Sequence, residues 1–338
     1  MKHSSRSACG WLGVSLGLVS LALLLLGMAI GSTGLEPLSA AWHGWGDDAI
    51  VLQIRLPRTL GAWTAGALLG LGGALAQGLF RNPLADPYLL GSASGASFGV
   101  ASALAWWGVS PLALAWSQRL GLTGAAFVGA VLAVLLTLLL ARGVQHSVRL
   151  LLSGVVVGVV LGALGSLILM TAPEVMQAMQ AFLLGSTSFV GWWACALMAL
   201  AWSVCMLLAW CLSPVLDGLV LGEATARSLG LPLTQARILL VLVLGLATGT
   251  AVAQTGLIAF VGLAAPHLVR RLVRVTHASL LLLSSLSGAV LLTAADLLAR
   301  GLVAPQELPV GVLTAVLGGG YLLWLMRRGP GGAEGVGL

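Results

Sequence analysis

The chain has 338 residues, of which 59% are hydrophobic and 8% charged, and its mean hydropathy is +1.05. Continuous apolar runs of about twenty residues exclude a soluble globular protein, and they exclude a β-barrel because barrel strands alternate apolar and polar residues. Helices are the remaining way to satisfy backbone groups in lipid, so the composition predicts an all-α, polytopic helical membrane protein. The net charge of +6 becomes informative only when charges are assigned to sides of the membrane.

The apolar runs, taken in chain order, predict about ten transmembrane helices. The first run follows Lys2 and Arg6 and is longer than the apolar part of a cleaved signal peptide, so we expect it to be retained. The approximate spans are 9–31, 57–79, 88–108, 121–141, 150–170, 191–212, 238–251, 253–268, 278–300 and 308–326.

The stretch 238–269 contains no charged residue, and its length decides between one helix and two. As a single helix it would extend about 48 Å, well beyond the ~30 Å hydrocarbon core of a bilayer. Gly249, Thr250, Gln254 and Gly256 interrupt the apolar pattern. We therefore predict two short helices joined by a tight break.

The arginine distribution favours ten spans with both termini cytoplasmic. Nine spans would move Arg270, Arg271 and Arg274 outside, against the positive-inside rule. The basic residues that remain outside with ten spans are Arg55, Arg58, Arg119 and Arg300. Asp296 precedes Arg300 by four residues, the favourable order for an internal ion pair. An internal pair and a contact to carboxylates of a partner therefore both stay open for Arg300.

Small residues recur every four positions in several spans, which lets helix backbones approach closely. The fifth span carries small residues on more than one face. Its small residues are Ser153, Gly154, Gly158, Gly162, Gly165 and Ser166. Tight packing explains such a pattern, but a helix of this kind also leaves room for a bulky solute. We predict that these six residues line a translocation pathway.

Enzymatic chemistry has no support in the sequence. Lys2 is the only lysine, so the chain cannot form a P-loop, and any ATP must be hydrolysed by another subunit. The five histidines are scattered and the four cysteines have no CxxC spacing, so we expect no catalytic residues and no metal site. An ion-coupled secondary transporter remains the alternative class, although Gln77 and Gln254 are the main polar groups within the spans.

Five stretches, read together, resemble the permease subunits of type II ABC importers for iron-siderophores, haem and cobalamin. They are "RLPRTLGAWTAGALLGLGGALAQGLFRNPLADPYLLGSASGA" (55–96), "LLLSGVVVG" (150–158), "LGEATARSLGLP" (221–232), "GLIAFVGLAAPHLVRRL" (256–272) and "ELPVGVLTAVLGGGYLLWLMRR" (307–328). The resemblance follows the chain in order over nearly its whole length. It implies one transmembrane permease domain, residues 1–338, in a bacterial cytoplasmic membrane.

The third of these stretches resembles the Glu-Ala-Ala…Gly coupling motif of ABC permeases, with Thr225 in place of the second Ala. The resemblance implies two short cytoplasmic helices, about 214–236, that sit in a groove of the ATPase subunit. The coupling residues would be Leu221, Gly222, Glu223, Ala224, Arg227 and Gly230.

The residues of this stretch predict a short amphipathic helix without reference to the family. Leu221, Ala224 and Leu229 would form a small apolar face. Glu223 and Arg227 are four residues apart, so we expect them to pair and face water. Gly230 followed by Pro232 would end the helix.

The resemblance also implies roles at both membrane surfaces. Arg55, Arg58 and Arg300 match positions that receive carboxylates from a binding protein. The cytoplasmic gate would consist of Asn82, Leu84, His146 and Ser147. The "HSV" sequence in the second gate loop departs from the Ser-Thr-Ser run of cobalamin permeases.

The resemblance further implies the partners and the mechanism. A permease homodimer in lipid would work by alternating access with a periplasmic binding protein and two ATPase subunits, which hold ATP and Mg; the chain would bind no cofactor and no nucleic acid. We expect haem as the substrate, because the gate loop departs from the cobalamin pattern and apolar residues follow the fifth span. Those residues are Met170, Met176, Met179 and Phe182. Ferric siderophores and cobalamin are the alternatives.

Overall fold

The computed structural model describes residues 2–31, 34–35, 50–107, 116–141, 147–172 and 175–327. Within these ranges the chain forms thirteen α-helices. They are α1 (Lys2–Ala29), α2 (Leu56–Phe80), α3 (Ser92–Trp107), α4 (Trp116–Leu140), α5 (Ser147–Thr171), α6 (Met176–Leu184), α7 (Trp192–Cys211), α8 (Ser213–Val220), α9 (Glu223–Ser228), α10 (Leu233–Thr255), α11 (Val261–Leu272), α12 (His277–Gly301) and α13 (Val310–Arg327).

Short irregular elements connect some of these helices. A π-helical turn, Val51–Arg55, leads directly into α2, and a 3-10 turn, Pro87–Leu90, precedes α3. Strands β1 (Ile30–Gly31) and β2 (Gly34–Leu35) form a two-residue antiparallel pair after α1, in which Ile30 lies opposite Leu35.

Seven helical stretches of the described residues are long and apolar enough to cross a membrane, judged by length and composition. They contain α1, α2 with its π-helical turn, α4, α5, α7, α10 and α12. The predicted third, eighth and tenth spans correspond to α3, α11 and α13, whose apolar stretches are shorter. The prediction of an all-α polytopic membrane protein is confirmed.

The long uncharged stretch does contain a break, but it lies after Thr255, whereas the predicted spans 238–251 and 253–268 place it near residue 252. Gly249 sits inside the continuous α10, where it packs against Ala130 of α4. The chain turns at Gly256, whose φ of +68° is left-handed and favours glycine. A side chain at Gly256 would also overlap the carbonyl oxygen of Phe182. The position of the predicted break is therefore corrected, because the glycine within α10 serves helix packing.

Helix α2 lies at the centre of the bundle and is almost entirely buried. Gly66 and Gly70 of α2 face the main-chain carbonyls of Gly288 and Ser284 in α12. A Cβ at either glycine of α2 would overlap those carbonyls, so the two backbones are in direct contact. Gly95 of α3 has the same relation to α4. Much of the small-residue pattern in the second and third spans is therefore explained by close packing.

Gly288→Leu is expected to destabilise the protein by forcing α2 and α12 apart. Overpacking a filled core costs about 1–3 kcal/mol, and here the obstructing atom is the carbonyl oxygen of Gly66, which cannot rotate away. Gly17→Leu is a matched control, since no atom lies within 4 Å of a Cβ placed there. Melting temperatures of the purified variants in detergent measure the difference, and equal values would contradict this packing.

The long helices alternate in direction, so functional groups collect at two ends of the bundle. One end carries α8, α9, the C-terminus of α2 and the N-terminus of α12, and we call it the α8–α9 end. The other carries the N-terminus of α2, the C-terminus of α12 and the loops that precede α7 and α13, and we call it the Arg58 end.

Candidate functional site

The stretch predicted to couple to an ATPase folds as the two short helices α8 and α9. Gly222 precedes α9 with φ +101°, and Gly230 follows it with φ +76°, both of which favour glycine. In the turn that follows α9, the amide of Leu231 donates a hydrogen bond to the carbonyl of Ala226. Pro232 then occupies the N-cap position of α10. Residues 213–232, which we call the α8–α9 segment, thus form two short helices with defined turns before and after α9.

The α8–α9 segment buries apolar side chains on its inner surface and exposes large ones on its outer surface. Its inner residues pack with the first turn of α10 in a small cluster of Val215, Leu219, Ala226, Leu233 and Ala236. At the outer surface the side chains of Leu221 and Leu229 are 64% and 62% exposed. Large apolar side chains exposed in a connection between two candidate membrane spans are typical of a contact surface for a partner.

Glu223 pairs with Arg227 as the sequence predicted, but a third residue, Arg237, binds the same carboxylate more closely. Nη2 of Arg237 donates to Oε1 of Glu223 at 2.5 Å, whereas Nη2 of Arg227 lies 3.6 Å from Oε2. The side chain of Arg237 is 3% exposed. Its hydrogen bond lowers the pKa of Glu223 below the ordinary value, so the carboxylate stays ionised at neutral pH. Glu223 therefore ties α9 to the start of α10.

Glu223→Gln is expected to loosen α9 more than Arg227→Gln does. Removing one member of a buried ion pair costs about 3–5 kcal/mol, which the 30% exposure of Glu223 reduces to about 1–2 kcal/mol. The exposed pair with Arg227 contributes only about 0.3–0.5 kcal/mol. Amide hydrogen exchange of residues 223–229 in the purified protein measures both changes. Faster exchange in the Arg227 variant than in the Glu223 variant would contradict the assignment.

At the Arg58 end a buried ionic network joins α2, α12 and two loops. Arg58 donates to Oε1 of Glu307 at 2.8 Å and to Oδ1 of Asp296 at 3.3 Å. Asp296 also accepts hydrogen bonds from Arg300 and from Thr187. The side chains of Asp296 and Arg300 are 0% and 1% exposed. This network fixes the C-terminus of α12 against the elements around it.

The network bears on the arginines predicted to dock a binding protein. The internal Asp296–Arg300 pair that the sequence left open is present, and Arg58 shares the same carboxylate. Arg55 is also buried and donates to a main-chain carbonyl of α1 at 3.4 Å. Docking by these residues stays a prediction. In the described conformation a partner would have to displace Glu307, whose side chain is 25% exposed, to reach Arg58.

The loop after α2 holds the first predicted gate residues. Oδ1 of Asn82 accepts from the amide of Leu84 at 2.9 Å, and Leu84 is 54% exposed. Asp86 starts the 3-10 turn by accepting from the amide of Tyr88, whose hydroxyl donates to the carbonyl of Ile258 at 3.0 Å. The loop is thus anchored on the α10–α11 break, with Leu84 projecting from it.

The six α5 residues predicted to line a pathway fall into two groups. Those in the first half contact neighbouring parts of the chain: Ser153, Gly154 and Gly158. Those in the second half face open space: Gly162, Gly165 and Ser166. A Cβ at Gly154 would overlap the carbonyl of Leu89, so the first half is pressed against the 3-10 turn. Of the second gate loop, His146 lies outside the described residues, and Ser147 is the first residue of α5.

A solved structure gives the class of protein. The chain superposes on a metal-chelate type ABC transporter in an inward-facing conformation, with a TM-score of 0.84 and 29% sequence identity, over 94% of this chain and 99% of that one. The chain is therefore a permease subunit of an ABC importer and not an enzyme.

The family follows from the sequence comparisons. Residues 18–328 match the FecCD transport family, and the chain belongs to this family. It is 37% identical over 330 residues to the hemin transport system permease protein HmuU of Yersinia pestis, covering 91% of this chain and 94% of that protein. It is 39% identical over 332 residues to the vitamin B12 import system permease protein BtuC of Salmonella typhi, covering 97% and 98%.

These findings confirm the resemblance read from the sequence and leave the ion-coupled transporter without support. Because a hemin permease and a vitamin B12 permease are similar to the chain at nearly equal identity, identity alone does not separate their substrates.

Proposed function

We propose that two copies of this chain form the pathway of an ATP-driven importer that moves haem from a periplasmic binding protein into the cytoplasm. Ferric siderophores and cobalamin are the alternative substrates. The observation that carries the proposal is the α8–α9 segment, where Leu221 and Leu229 are exposed between the candidate membrane spans α7 and α10. Since the chain has no P-loop, a separate ATPase must act on it, and this surface has the apolar character that such a contact needs.

The α8–α9 end is proposed to be cytoplasmic, and with it both termini. Arg270 and Arg271 in the last turn of α11 lie at this end, as the positive-inside rule requires. The protein would be a multi-pass protein of a bacterial cytoplasmic membrane, with the Arg58 end in the periplasm. A binding protein would then approach the Arg58 end, opposite the two ATPase subunits.

A second copy of the chain is proposed to pack near the second half of α5. Gly162 and Gly165 have no protein atom within 4 Å of a Cβ placed on them, and the same holds for Gly319 and Gly320 on α13. Glycine-rich helix surfaces permit close approach of another helix in lipid. Two copies meeting along these helices would enclose a pathway between them, with Leu84 near its cytoplasmic mouth.

Haem is favoured by the apolar surface that follows α5. Met170 is 81% exposed and Met176 is 42% exposed, and such flexible thioether side chains suit a flat apolar macrocycle. Met179 does not support the argument as expected, since it is 3% exposed and packs in an apolar cluster; Phe182 packs against the same cluster.

ATP would drive transport by alternating access. Closure of the ATPase subunits, which bind ATP and Mg, would move the α8–α9 segment and favour one of two permease conformations over the other. The permease itself makes and breaks no covalent bond. Its residues change only the relative stability of the inward-open and outward-open states.

Reconstitution tests both the proposed class of transporter and the proposed substrate. The permease with its ATPase is placed in proteoliposomes, and binding proteins loaded with haem, cobalamin or a ferric siderophore are compared for ATPase stimulation and uptake. The proposal expects ATP-dependent uptake of haem above the others. Uptake of cobalamin or siderophore without haem would overturn the substrate, and uptake driven by an ion gradient without any ATPase would overturn the class.

A further inference from the structure

The N-terminus of α12 is capped by a residue of another helix. Oδ1 of Asp217 in α8 accepts from the backbone amide of His277 at 3.0 Å and lies 2.7 Å from Nδ1 of the same residue. Thr276, in the N-cap position, makes no capping hydrogen bond with its side chain. Because the oxygen that accepts from the amide is a carboxylate oxygen, Nδ1 is assigned as the donor in this contact. A carboxylate at a helix N-terminus is also favoured by the helix dipole.

The imidazole of the Asp217–His277 contact lies against α2. A Cβ on Gly78, in the last turn of α2, would lie 3.2 Å from Nε2 of His277 and 3.3 Å from Cδ2 of Leu216. The side chain of His277 is 11% exposed and that of Asp217 is 42% exposed, and Leu216 is fully buried in the main core. Helices α2, α8 and α12 are thus in direct contact beside Asp217.

The inner cluster of the α8–α9 segment and Asp217 contact different parts of the molecule. The inner cluster of the segment, with Val215 and Leu219 from α8, involves only α8, α9 and the start of α10 with the residues that join them. The Glu223–Arg237 pair likewise stays within those elements. Asp217 instead hydrogen-bonds to α12, and Leu216 packs in the main core, so α8 links the segment to the rest of the bundle.

Helix α12 joins the two functional ends of the molecule. It runs for 25 residues, about 37 Å, from His277 to Gly301. Its far end carries Asp296 and Arg300, which belong to the buried network with Arg58. One continuous helix therefore has a carboxylate contact at each end, one to the α8–α9 segment and one to the network.

We propose that Asp217 is a positioning residue that couples the α8–α9 segment to α12, so that α12 carries the conformational signal between the two ends of the permease. The inference rests on the proposed function, since it takes the α8–α9 segment as the ATPase contact. Asp217 acts through α12 and does not itself contact ATP or substrate.

The test uses the complete importer in proteoliposomes, with Asp217→Ala, Asp217→Asn and the control Leu282→Ala, whose side chain lies on the same helix as His277 and is 47% exposed. For Asp217→Ala we expect basal ATPase activity within about twofold of wild type, and a loss of at least about fivefold in uptake per ATP and in stimulation by loaded binding protein. Asp217→Asn keeps an acceptor oxygen for the amide of His277 and should restore part of the loss. Leu282→Ala should behave as wild type.

A double-mutant cycle tests whether the effect comes from the contact between Asp217 and His277. His277→Ala should reproduce the loss, and Asp217→Ala combined with His277→Ala should be no worse than either single change, because both remove one contact. Unchanged uptake per ATP in Asp217→Ala would overturn the inference. So would a variant that fails to assemble, or whose basal ATPase activity falls in proportion to uptake, since each indicates a purely structural role. A wild-type complex without ATP-dependent uptake would overturn the proposed function itself.

Discussion

Replacing Asp296 by Asn should cause the largest loss of stability of any single carboxylate change at the Arg58 end. Its carboxylate is fully buried and accepts from Arg58, Arg300 and Thr187. Removal of one partner from a buried ion pair costs about 3–5 kcal/mol, because the remaining charges lose their compensation while they stay out of water. The melting temperature of the purified permease in detergent measures the loss.

Glu307→Gln is the matched control for this change. It makes the same carboxylate-to-amide substitution in the same network, but its side chain is 25% exposed. Burial raises the pKa of Glu307, yet the hydrogen bond and charge of Arg58 outweigh burial and hold the pKa below its ordinary value, so the group is ionised at neutral pH. Its loss should cost less than half as much as that of Asp296. An equal or larger effect of Glu307→Gln would contradict the described network.

The same pair of variants bears on docking of a binding protein. If the network is an internal clamp, Asp296→Asn lowers the melting temperature in the absence of any partner. If the arginines instead serve mainly to capture a partner, Asp296→Asn leaves stability unchanged and alters only the affinity of the permease for the binding protein.

Leu221→Asp combined with Leu229→Asp should abolish assembly with the ATPase subunit. Central apolar side chains of an interface often contribute about 2 kcal/mol or more each, roughly a thirtyfold change in affinity, and a charge placed there must also be desolvated. Both side chains are mostly exposed in the permease, so the permease itself should keep its melting temperature. Binding of the purified ATPase subunit to the immobilised permease measures the effect.

Leu302→Asp provides the control at the opposite end of the bundle. Leu302 is 58% exposed, which is similar to Leu221 and Leu229, but it lies beyond the C-terminus of α12. It should not affect ATPase binding. Equal loss of binding in the Leu302 variant, or full binding by the Leu221 and Leu229 double variant, would show that these two leucines do not contact the ATPase subunit.

The fold was predictable wherever composition and the length of an apolar run decide the structure. Apolar runs defined the long helices, and the bilayer thickness required a break in the uncharged stretch 238–269. The position of the break was not predictable, because Gly249 and Gly256 look alike in the sequence. Only the tertiary structure shows that Gly249 faces Ala130, whereas Gly256 needs a left-handed φ beside the carbonyl of Phe182.

The ionic contacts show the same limit. Pairing at a spacing of four residues predicted the Asp296–Arg300 contact, and the rule is local, so it holds within one helix. The same rule predicted the Glu223–Arg227 pair, but it gave no sign of Arg237, which approaches from the next helix after a turn and lies closer to the carboxylate. The contact between Asp217 and His277 joins residues 60 positions apart, and no sequence pattern indicated it.

The proposal that the α8–α9 segment contacts the ATPase is tested most directly by finding on which side of the membrane α9 lies. Ser228 is exposed in α9, and Ser228→Cys can be made in a chain whose Cys9 and exposed Cys211 are replaced by Ser, while Cys195 and Cys205 are buried. A membrane-impermeant maleimide should label this thiol in everted vesicles stripped of ATPase, and added ATPase subunit should protect it. Labelling from the outside of intact spheroplasts would contradict the account, since the surface assigned to the ATPase would then face the periplasm.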